Sequence, residues 1–456
     1  MTKYESRYGV DARIDPDASV DSPDRKFPDI DYEAKIFDDQ EKYFSEEYRK
    51  QEWDRLWTKI WHIAGRVSDL DKAGDYFTYE LGAESFIVTR TGDGDIKAYY
   101  NVCHHRGNRL VHDNYGNVKS FVCSFHSWTW NLDGSLKKIT DRETFDEDLV
   151  CDNPALTEVR CDLWGGFIFI SMNDDVEPLI DFLGELPAVL QNYNMDDMIL
   201  VSDVETDWPV NWKTVLDAFM EGYHAHITHP ELLTMIDDFH FQHDVFSNGH
   251  SRMHIPMGLV SPRKSDRGKL SDEMREIIES IGMDASQYEG KASDIRADIP
   301  AAKRKWAKKY GNDYGHFTDS QLSDDWNVNI FPNITFNMHP EAVLVMRFRP
   351  HATDPERCLY DFWVLARKVS DPNYYLPAYM GVPKEADLSG NAPRSERTYG
   401  KWGEVSFGPV VDQDAATVPF VQKGLRSRAF KGARYSQQEM RLTHFYIEYD
   451  RYLKGE

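Results

Sequence analysis

The sequence predicts an α+β protein, a small all-β module followed by a larger domain that mixes helices with antiparallel strands. Three observations carry this expectation. Short β-rich runs separated by Gly, Asn and Asp turns crowd the segment from Trp57 to Met172, helical and strand-like periods alternate beyond it, and an amphipathic helix closes the chain. With 456 residues, 41% of them hydrophobic and 13% aromatic, the chain can fill one large core or two to three ordinary ones.

In chain order, about thirty residues at the start are rich in Asp, Ser and Pro, have no hydrophobic period, and are expected to form an extended arm. From about Ser45 to Trp61 the positions Tyr48, Trp53, Leu56, Trp57 and Ile60 fall near helical spacing and predict an amphipathic helix leading into the next region. The runs DYFTYEL, SFIVTRT, AYYNV, SFVCSF, WTWNL and GGFIFISM then read as strands, with hairpin turns at Thr91-Gly-Asp-Gly-Asp95 and Asp133-Gly134. Helix is expected near Ile180 to Tyr193 and from about Val210 to His226; the charged stretch from Pro262 to Asp325 reads as surface helices that could cover a pocket. Strands return with VNIFPNITFNM, AVLVMRFRP and CLYDFWVLAR, which suit one antiparallel sheet. The last helix, Ser436 to Leu453, opens with the capping box Ser436-x-x-Glu439 and carries Leu442, Phe445, Tyr446, Tyr449 and Leu453 on one face. These changes divide the chain into 1–56, 57–172 and 173–456.

Charge narrows the function. Against 77 acidic residues stand 53 basic ones, a formal net charge of −24, which excludes a nucleic acid or an anionic membrane as the main partner. No stretch approaches the roughly 20 apolar residues of a membrane span, and MTKYESRYGVDARIDPDAS lacks the apolar core of a signal peptide, so the expected location is cytoplasmic. Cys103, Cys123, Cys151, Cys161 and Cys358 are too few and uneven for a disulfide framework; the last three read as ordinary buried thiols.

The first two cysteines belong to a constellation. Cys103-His104-His105-Arg106-Gly107 is followed, after an interval of seventeen residues from His105, by Cys123-Ser124-Phe125-His126. Each half offers one Cys and one His, as a cluster with two thiolates on one iron and two imidazoles on the other requires. The competing use is a structural zinc site, although zinc fingers usually pair Cys with Cys and His with His along the chain. His104, between the two ligands, would point away.

A second constellation lies in NWKTVLDAFMEGYHAHITHPELL. Asp217, Glu221 and His224 stand at i, i+4 and i+7, on one stripe of a helix, with His226 opposite. His229 needs the helix to distort or end, which Pro230 permits, and both imidazoles could then bind one metal. Two His with one carboxylate leave positions open for O₂ and substrate.

Together these segments resemble the Rieske non-heme iron oxygenases, the family of ring-hydroxylating dioxygenase α subunits and related monooxygenases and demethylases. The motifs are CHHRGNRL with CSFHSWTWNLDGSL, NWKTVLDAFMEGYHAHITH, FPNITFN, and QDAATVPFVQKGLRSRAF with the aromatic helix after it. The resemblance implies a [2Fe–2S] cluster on Cys103, His105, Cys123 and His126, and a mononuclear Fe(II) on His224, His229 and a downstream carboxylate, Asp414, with Asp412 as the alternative. It implies that Glu221 bridges an iron-binding His to a cluster-binding His of a neighbouring subunit, here His126. Some positions depart from the pattern. Ser127 replaces the Gly of C-P-Y-H-G-W, Asp217-Ala218 replaces Glu-Asn and leaves Asp217 as a further catalytic candidate, and Gln413 replaces a Glu. Pro419 would interrupt a helix beginning at Asp414, so a later helix start is expected.

The resemblance further implies a Rieske domain over 57–172 and a helix-grip catalytic domain over 173–456, assembled as a homotrimer or an α3β3 hexamer. No G-x-G-x-x-G fingerprint is present, so NAD(P)H is expected on a separate reductase or ferredoxin system. The first-choice substrate is a small hydrophobic, aromatic compound to be hydroxylated or cis-dihydroxylated; the alternative is O- or N-demethylation. Phe219, Met220, Met257, Phe331 and Phe336 are candidates for the pocket lining, and each also suits core packing. Readings from other classes are an electron-transfer Rieske protein, which needs no His224, His229 or remote carboxylate, and a hydrophobic-ligand-binding domain with structural zinc.

Overall fold

The computed structural model describes residues 36–37 and 39–455; the arm expected at the start lies outside them. The chain divides into two compact units, Lys50–Phe182 and a larger one made of Leu183–Glu456 with the residues up to Arg49.

The predicted helix before the β region exists as α1 (Glu46–Glu52) and continues as a π-helical turn over Trp53–Trp57, ending short of Trp61. The smaller unit then supplies β1 (His62–Arg66), β2 (Asp75–Leu81), β3 (Glu84–Arg90), β4 (Ile96–Tyr100), β5 (Tyr115–Asn117), β6 (Phe121–Val122), β7 (Thr129–Trp130), β8 (Leu136–Lys138), β9 (Glu158–Trp164) and β10 (Phe167–Ser171). Seven of them form an antiparallel sheet in the order β1-β10-β9-β4-β3-β2-β5, and β6-β7-β8 form a second, three-stranded one. Both predicted hairpin turns close, with Thr91 N–H on Asp95 O at 2.8 Å and Asn131 N–H on Ser135 O at 2.9 Å. Tyr76, Ile87, Tyr99, Trp128 and Trp130 pack into a core that also buries Cys103 and Cys123. Cys151 is exposed, against the expectation of a buried thiol, and Cys161 is half-buried; Cys358 is buried as expected.

The helix expected near Ile180 to Tyr193 is split at Gly184, whose φ of +54° suits glycine, into α2 (Leu179–Leu183), which closes the segment of the smaller unit, and α3 (Leu186–Leu190) in the larger one. The strands of the main sheet of the larger unit are β11 (Ile199–Trp208), β12 (Gln242–Val245), β13 (Ser251–Ile255), β14 (Asp325–Ile330), β15 (Ile334–Met338), β16 (Ala342–Pro350), β17 (Cys358–Ala366) and β18 (Thr398–Lys401). They form one eight-stranded sheet in the order β12-β13-β14-β15-β16-β17-β11-β18, antiparallel except for the last pair. Side-chain alternation gives it two faces. Met346 and Phe348 stand opposite Phe362 and Tyr360 on one, while Arg347 stands opposite Asp361 on the other, where Arg347 and Arg349 hold the Asp361 carboxylate at 3.1 and 2.7 Å. Both faces are covered, which is why every residue of β16 is buried.

Helices α4 (Trp212–Phe219), α5 (Ala225–Thr228), α6 (Asp272–Ser280), α7 (Ile295–Lys309), α8 (Asp319–Ser323), α9 (Pro409–Leu425) and α10 (Met440–Lys454) complete the unit. The apolar face expected on α10 is buried throughout, and Glu439 reaches back to Ser436 N–H at 2.8 Å. Phe445 meets Trp212 of α4 and Phe331 beside the sheet, and buried Arg441 donates to Ser251 at 2.9 Å and Asn327 at 2.7 Å. Helices gripping a curved antiparallel sheet are what the family resemblance implied. No helix among the described residues is long and apolar enough to cross a membrane.

Candidate metal centres

In the smaller unit two loops have the same backbone design. Gly107 N–H bonds Cys103 O and Ser127 N–H bonds Cys123 O, both at 2.9 Å, while Cys103 N–H and Cys123 N–H bond Asn108 O and Trp128 O at 2.8 Å. Each loop turns through a left-handed residue, Gly107 at φ +76° and Ser127 at φ +59°. Four side chains converge there. The rings of His105 and His126 lie 4.6 Å apart, His105 stacks on Trp128, and Asn108 Nδ2 lies 3.6 Å from Cys123 Sγ. His105 Nδ1 and His126 Nδ1 are buried with no hydrogen-bond partner, as two nitrogens kept for a metal would be. His104 is exposed, as expected, and its Nε2 lies 3.2 Å from Thr157 Oγ1.

The second constellation is built differently from its sequence reading. The continuous helix expected from Val210 to His226 does not form. Helix α4 starts at the Asn211 cap, ends at Phe219, and α5 begins only after His224, so Asp217, Glu221 and His224 share no uninterrupted stripe. Gly222 permits the break, since a Cβ there would sit 2.0 Å from the Phe241 ring. Glu221 uses both oxygens in it. Oε2 accepts the backbone N–H of Tyr223 and of His224 in the turn before α5, and Oε1 lies 2.5 Å from His224 Nδ1. Helix α5 ends at Thr228, with His229 as its C-cap just before Pro230, as expected.

Asp414 comes from far along the chain, inside α9. The expectation of a later helix start is wrong: α9 begins at Pro409, places Asp414 in its second turn and runs on through Pro419. The carbonyl that Pro419 cannot serve is Ala415 O, and Trp402 Nε1–H takes the missing place at 2.8 Å. Asp412, the alternative ligand, is occupied elsewhere, accepting Phe407 N–H at 2.8 Å and Ser406 Oγ–H at 2.5 Å.

His224, His229 and Asp414 thus meet, with one ligand atom from each lying within 4.8 Å of the others. Asp414 Oδ1 is 3.4 Å from His224 Nε2 and 3.1 Å from His229 Nε2, and the two Nε2 atoms are 3.2 Å apart. His229 Nδ1 lies 2.6 Å from Gln413 Oε1. Glu221 and Gln413 therefore take the Nδ1–H of each ring, leaving two Nε2 lone pairs and a carboxylate facing one point. That geometry needs a cation. Where it is a proton, burial works against the charge, but Glu221 and Asp414 carry His224 up to about 10; two His with one carboxylate also fit Fe(II).

Two cavities meet at His224 and Asp414, and one of them also reaches His229. One, of about 150 Å³, is lined by apolar Phe219, Leu232, Met235, Phe241, Met253 and Met257 and by Glu221, His224, His229 and Asp414. Of the five lining candidates, Phe219 and Met257 are there; Met220, Phe331 and Phe336 are fully buried and absent from the lining. The charged segment expected to cover the pocket contributes only Asp325, at its end. The other cavity is lined by Glu221, His224 and Asp414 with Asp217, Tyr43 and Tyr435. Asp217 is not drawn to the triad: its carboxylate accepts Tyr43 OH at 2.7 Å and Tyr446 OH at 3.0 Å. Gln413 and Trp402 were missed as functional residues. Gln413 had a signal, its place beside Asp414, whereas nothing local marks Trp402.

Paired Cys/His loops in one unit, with two histidines and a carboxylate converging on a helix-gripped sheet in the other, are the ligand sets of a Rieske non-heme iron oxygenase. The chain belongs to that family: residues 60–151 match the Rieske [2Fe-2S] domain and 195–455 match the ring hydroxylating alpha subunit catalytic domain. It is the terminal oxygenase α subunit, an enzyme whose cofactors are a Rieske [2Fe–2S] cluster and a mononuclear iron. Its relatives include the glycine betaine monooxygenase oxygenase subunit of Chromohalobacter salexigens, 31% identical across 83% of this chain and 76% of that one. The biphenyl 2,3-dioxygenase subunit alpha of Rhodococcus jostii is 30% identical across 41% of this chain and 42% of its own. Among solved structures, a quaternary ammonium Rieske monooxygenase shares the fold with a TM-score of 0.64 at 19% identity, covering 97% of this chain and 99% of that one.

Proposed function

We propose that this chain, through a Rieske domain near 57–172 and a catalytic domain near 173–456, hydroxylates a carbon bonded to the nitrogen of a methylated ammonium compound. The observation that carries this is the likeness to a glycine betaine monooxygenase across both domains. It favours the monooxygenase, demethylating alternative over the aromatic substrate expected first. The cavity supports it: among its lining residues are the carboxylates Glu221, Asp325 and Asp414 and no lysine or arginine, which suits a cation.

In this proposal Cys103, His105, Cys123 and His126 hold the cluster, and His224, His229 and Asp414 hold the iron. When bound, the iron activates O₂ with electrons relayed by the cluster. Glu221 and Gln413 fix the tautomer and tilt of the two imidazoles, and apolar Phe219, Leu232 and Met257 keep water from the reacting carbon. Asp217, tied to Tyr43 and Tyr446, anchors α4 behind Glu221. Two electrons, two protons and O₂ yield a hydroxylated carbon and water, and the carbinolamine breaks to an amine and an aldehyde. The electrons come from NAD(P)H through a reductase or ferredoxin, Glu221 passes them between subunits of a trimer, and the enzyme works in the cytoplasm.

The test is anaerobic purification of wild type and Asp414→Ala, with iron, acid-labile sulfide and the EPR spectrum of the reduced samples. About three irons and two sulfides per chain are expected in wild type, with only the mononuclear iron lost in the variant. Aldehyde release from methylated ammonium compounds, absent in the variant, is the second readout. Turnover of aromatic compounds alone would overturn the substrate reading.

A further inference from the structure

The sheet wall of the cavity carries polar side chains that the metal site does not use. They are Asp325 and Asn327 on β14, Asn337 on β15, His339 one residue past β15, and Tyr379 in the turn Ala378–Met380. Such groups are costly among methionine and phenylalanine unless they find partners. Three of them partner one another. Arg441 can only donate, and its Nη1 meets Asn327 Oδ1 at 2.7 Å. That leaves Asn327 Nδ2 to donate to Asn337 Oδ1 at 3.3 Å, and Asn337 Nδ2 to donate to Asp325 Oδ2 at 2.5 Å. Burial raises the Asp325 carboxyl to about 7, and its other oxygen is sealed among side chains.

His339 and Tyr379 stand outside this relay. Among the described residues no hydrogen bond reaches either imidazole nitrogen or the Tyr379 hydroxyl, and His339 Nε2 stops 3.6 Å from Asp325 Oδ1. None of these three atoms is sealed, although His339 is only 3% exposed; the cavity it lines is the open space beside it. The two rings meet edge to face with centroids 5.6 Å apart, so one small group can touch both. Burial, with the Lys303 charge, pushes His339 down to about 3, and burial keeps the proton on Tyr379, so both groups are neutral. They also mark one end of the cavity. Phe219, two residues before Glu221, packs on Phe348, which bonds Asn333 just before β15, whereas His339 follows the last residue of that strand.

Resting on the methylated ammonium reading, we propose that His339 and Tyr379 form a hydroxyl-binding end of the substrate cavity. It selects ammonium compounds whose short chain ends in a hydroxyl over those ending in a methyl or a carboxylate. A hydroxyl both donates and accepts, so it pairs with the Tyr379 hydroxyl and with the imidazole in either tautomer. A methyl leaves both buried polar groups without partners. A carboxylate would be buried with no lysine or arginine in the lining and with the Asp325 carboxyl beside His339.

The test is calorimetric titration of the anaerobic, metal-loaded enzyme with trimethylammonium compounds whose chains, of about two to four carbons, end in a hydroxyl, a methyl or a carboxylate. Wild type is expected to bind the best hydroxyl compound at least about tenfold more tightly than its methyl and carboxylate counterparts. Tyr379→Phe and His339→Leu should each shrink the hydroxyl-to-methyl ratio at least about fivefold, with the methyl compound bound as before and the reduced-cluster EPR signal unchanged. A wild type without preference for the hydroxyl overturns the proposal, with or without the variants. So does an unchanged ratio in both variants, or a loss shared equally by hydroxyl and methyl compounds, which is what a merely structural role would give. In each of these cases the methylated ammonium reading survives. If wild type binds none of the ammonium compounds, that reading falls and takes this one with it.

Discussion

Gln413 Oε1 lies 2.6 Å from His229 Nδ1, so the residue directly before one ligand of the triad orients another. Adjacent positions on α9 point Asp414 at the inner nitrogens of His224 and His229 and Gln413 at the outer nitrogen of His229. Gln413→Leu is expected to lower iron affinity by roughly 10–100-fold while sulfide content stays the same, and Gln413→Glu to retain the metal. Chelator competition on the iron-depleted protein measures both; equal affinity in Gln413→Leu would remove this residue from the site.

Trp402 and Pro419 are coupled through Ala415 O. Trp402→Phe removes the donor and is expected to cost about 1 kcal/mol. In a Pro419→Ala background the helix supplies its own N–H, so the same change should cost far less. Denaturant titration of the four proteins of this cycle gives the coupling, and additive costs would refute it.

Ser127 sits at φ +59° in the second cluster loop, where the equivalent loop has Gly107. A side chain in that region costs about 1 kcal/mol, part of which glycine returns as unfolded-chain entropy. Ser127→Gly is therefore expected to raise the denaturation midpoint slightly with the cluster retained. A lower midpoint would mean that the serine hydroxyl compensates its strain.

Burial raises the Asp217 carboxyl to about 7, against the hydrogen bonds from Tyr43 and Tyr446 that favour its charge. The folded value lies above the unfolded one near 3.9, so between them the folded protein holds the proton that the unfolded chain has lost. Stability then falls as pH rises through that window, by up to about 4 kcal/mol, and levels off above 7. Asp217→Asn, which can still accept from both tyrosines, should lack this slope in iron-free protein and melt higher than wild type at pH 8. Parallel melting curves across pH for the two proteins would show that Asp217 does not titrate there.

Much of the fold was legible because its signals are local. The strands Asp75–Leu81, Glu84–Arg90 and Phe167–Ser171, the strands Ala342–Pro350 and Cys358–Ala366 and the aromatic face of α10 follow from side-chain period and turn residues, whereas VNIFPNITFNM, read as one run, folds as two strands of a hairpin. The helix through Asp217, Glu221 and His224 was misread because the spacing fits a helix equally well whether or not Gly222 breaks it; close packing against Phe241 decides that. Pro419 misled for a related reason, since the donor replacing its missing N–H, Trp402, is remote from its own turn.

The sequence by itself determined the chemistry on offer: two Cys-His loops, two histidines beside Pro230, a distant carboxylate and the family they mark. Residue types and short spacings carry that information, because ligand chemistry belongs to single side chains. Only the tertiary structure brought Asp414 and not Asp412 to His224 and His229, turned Gln413 toward His229, and set the relay from Arg441 to Asp325. Those choices depend on which strands pair and on where a helix meets the sheet, and such contacts join residues far apart in the chain.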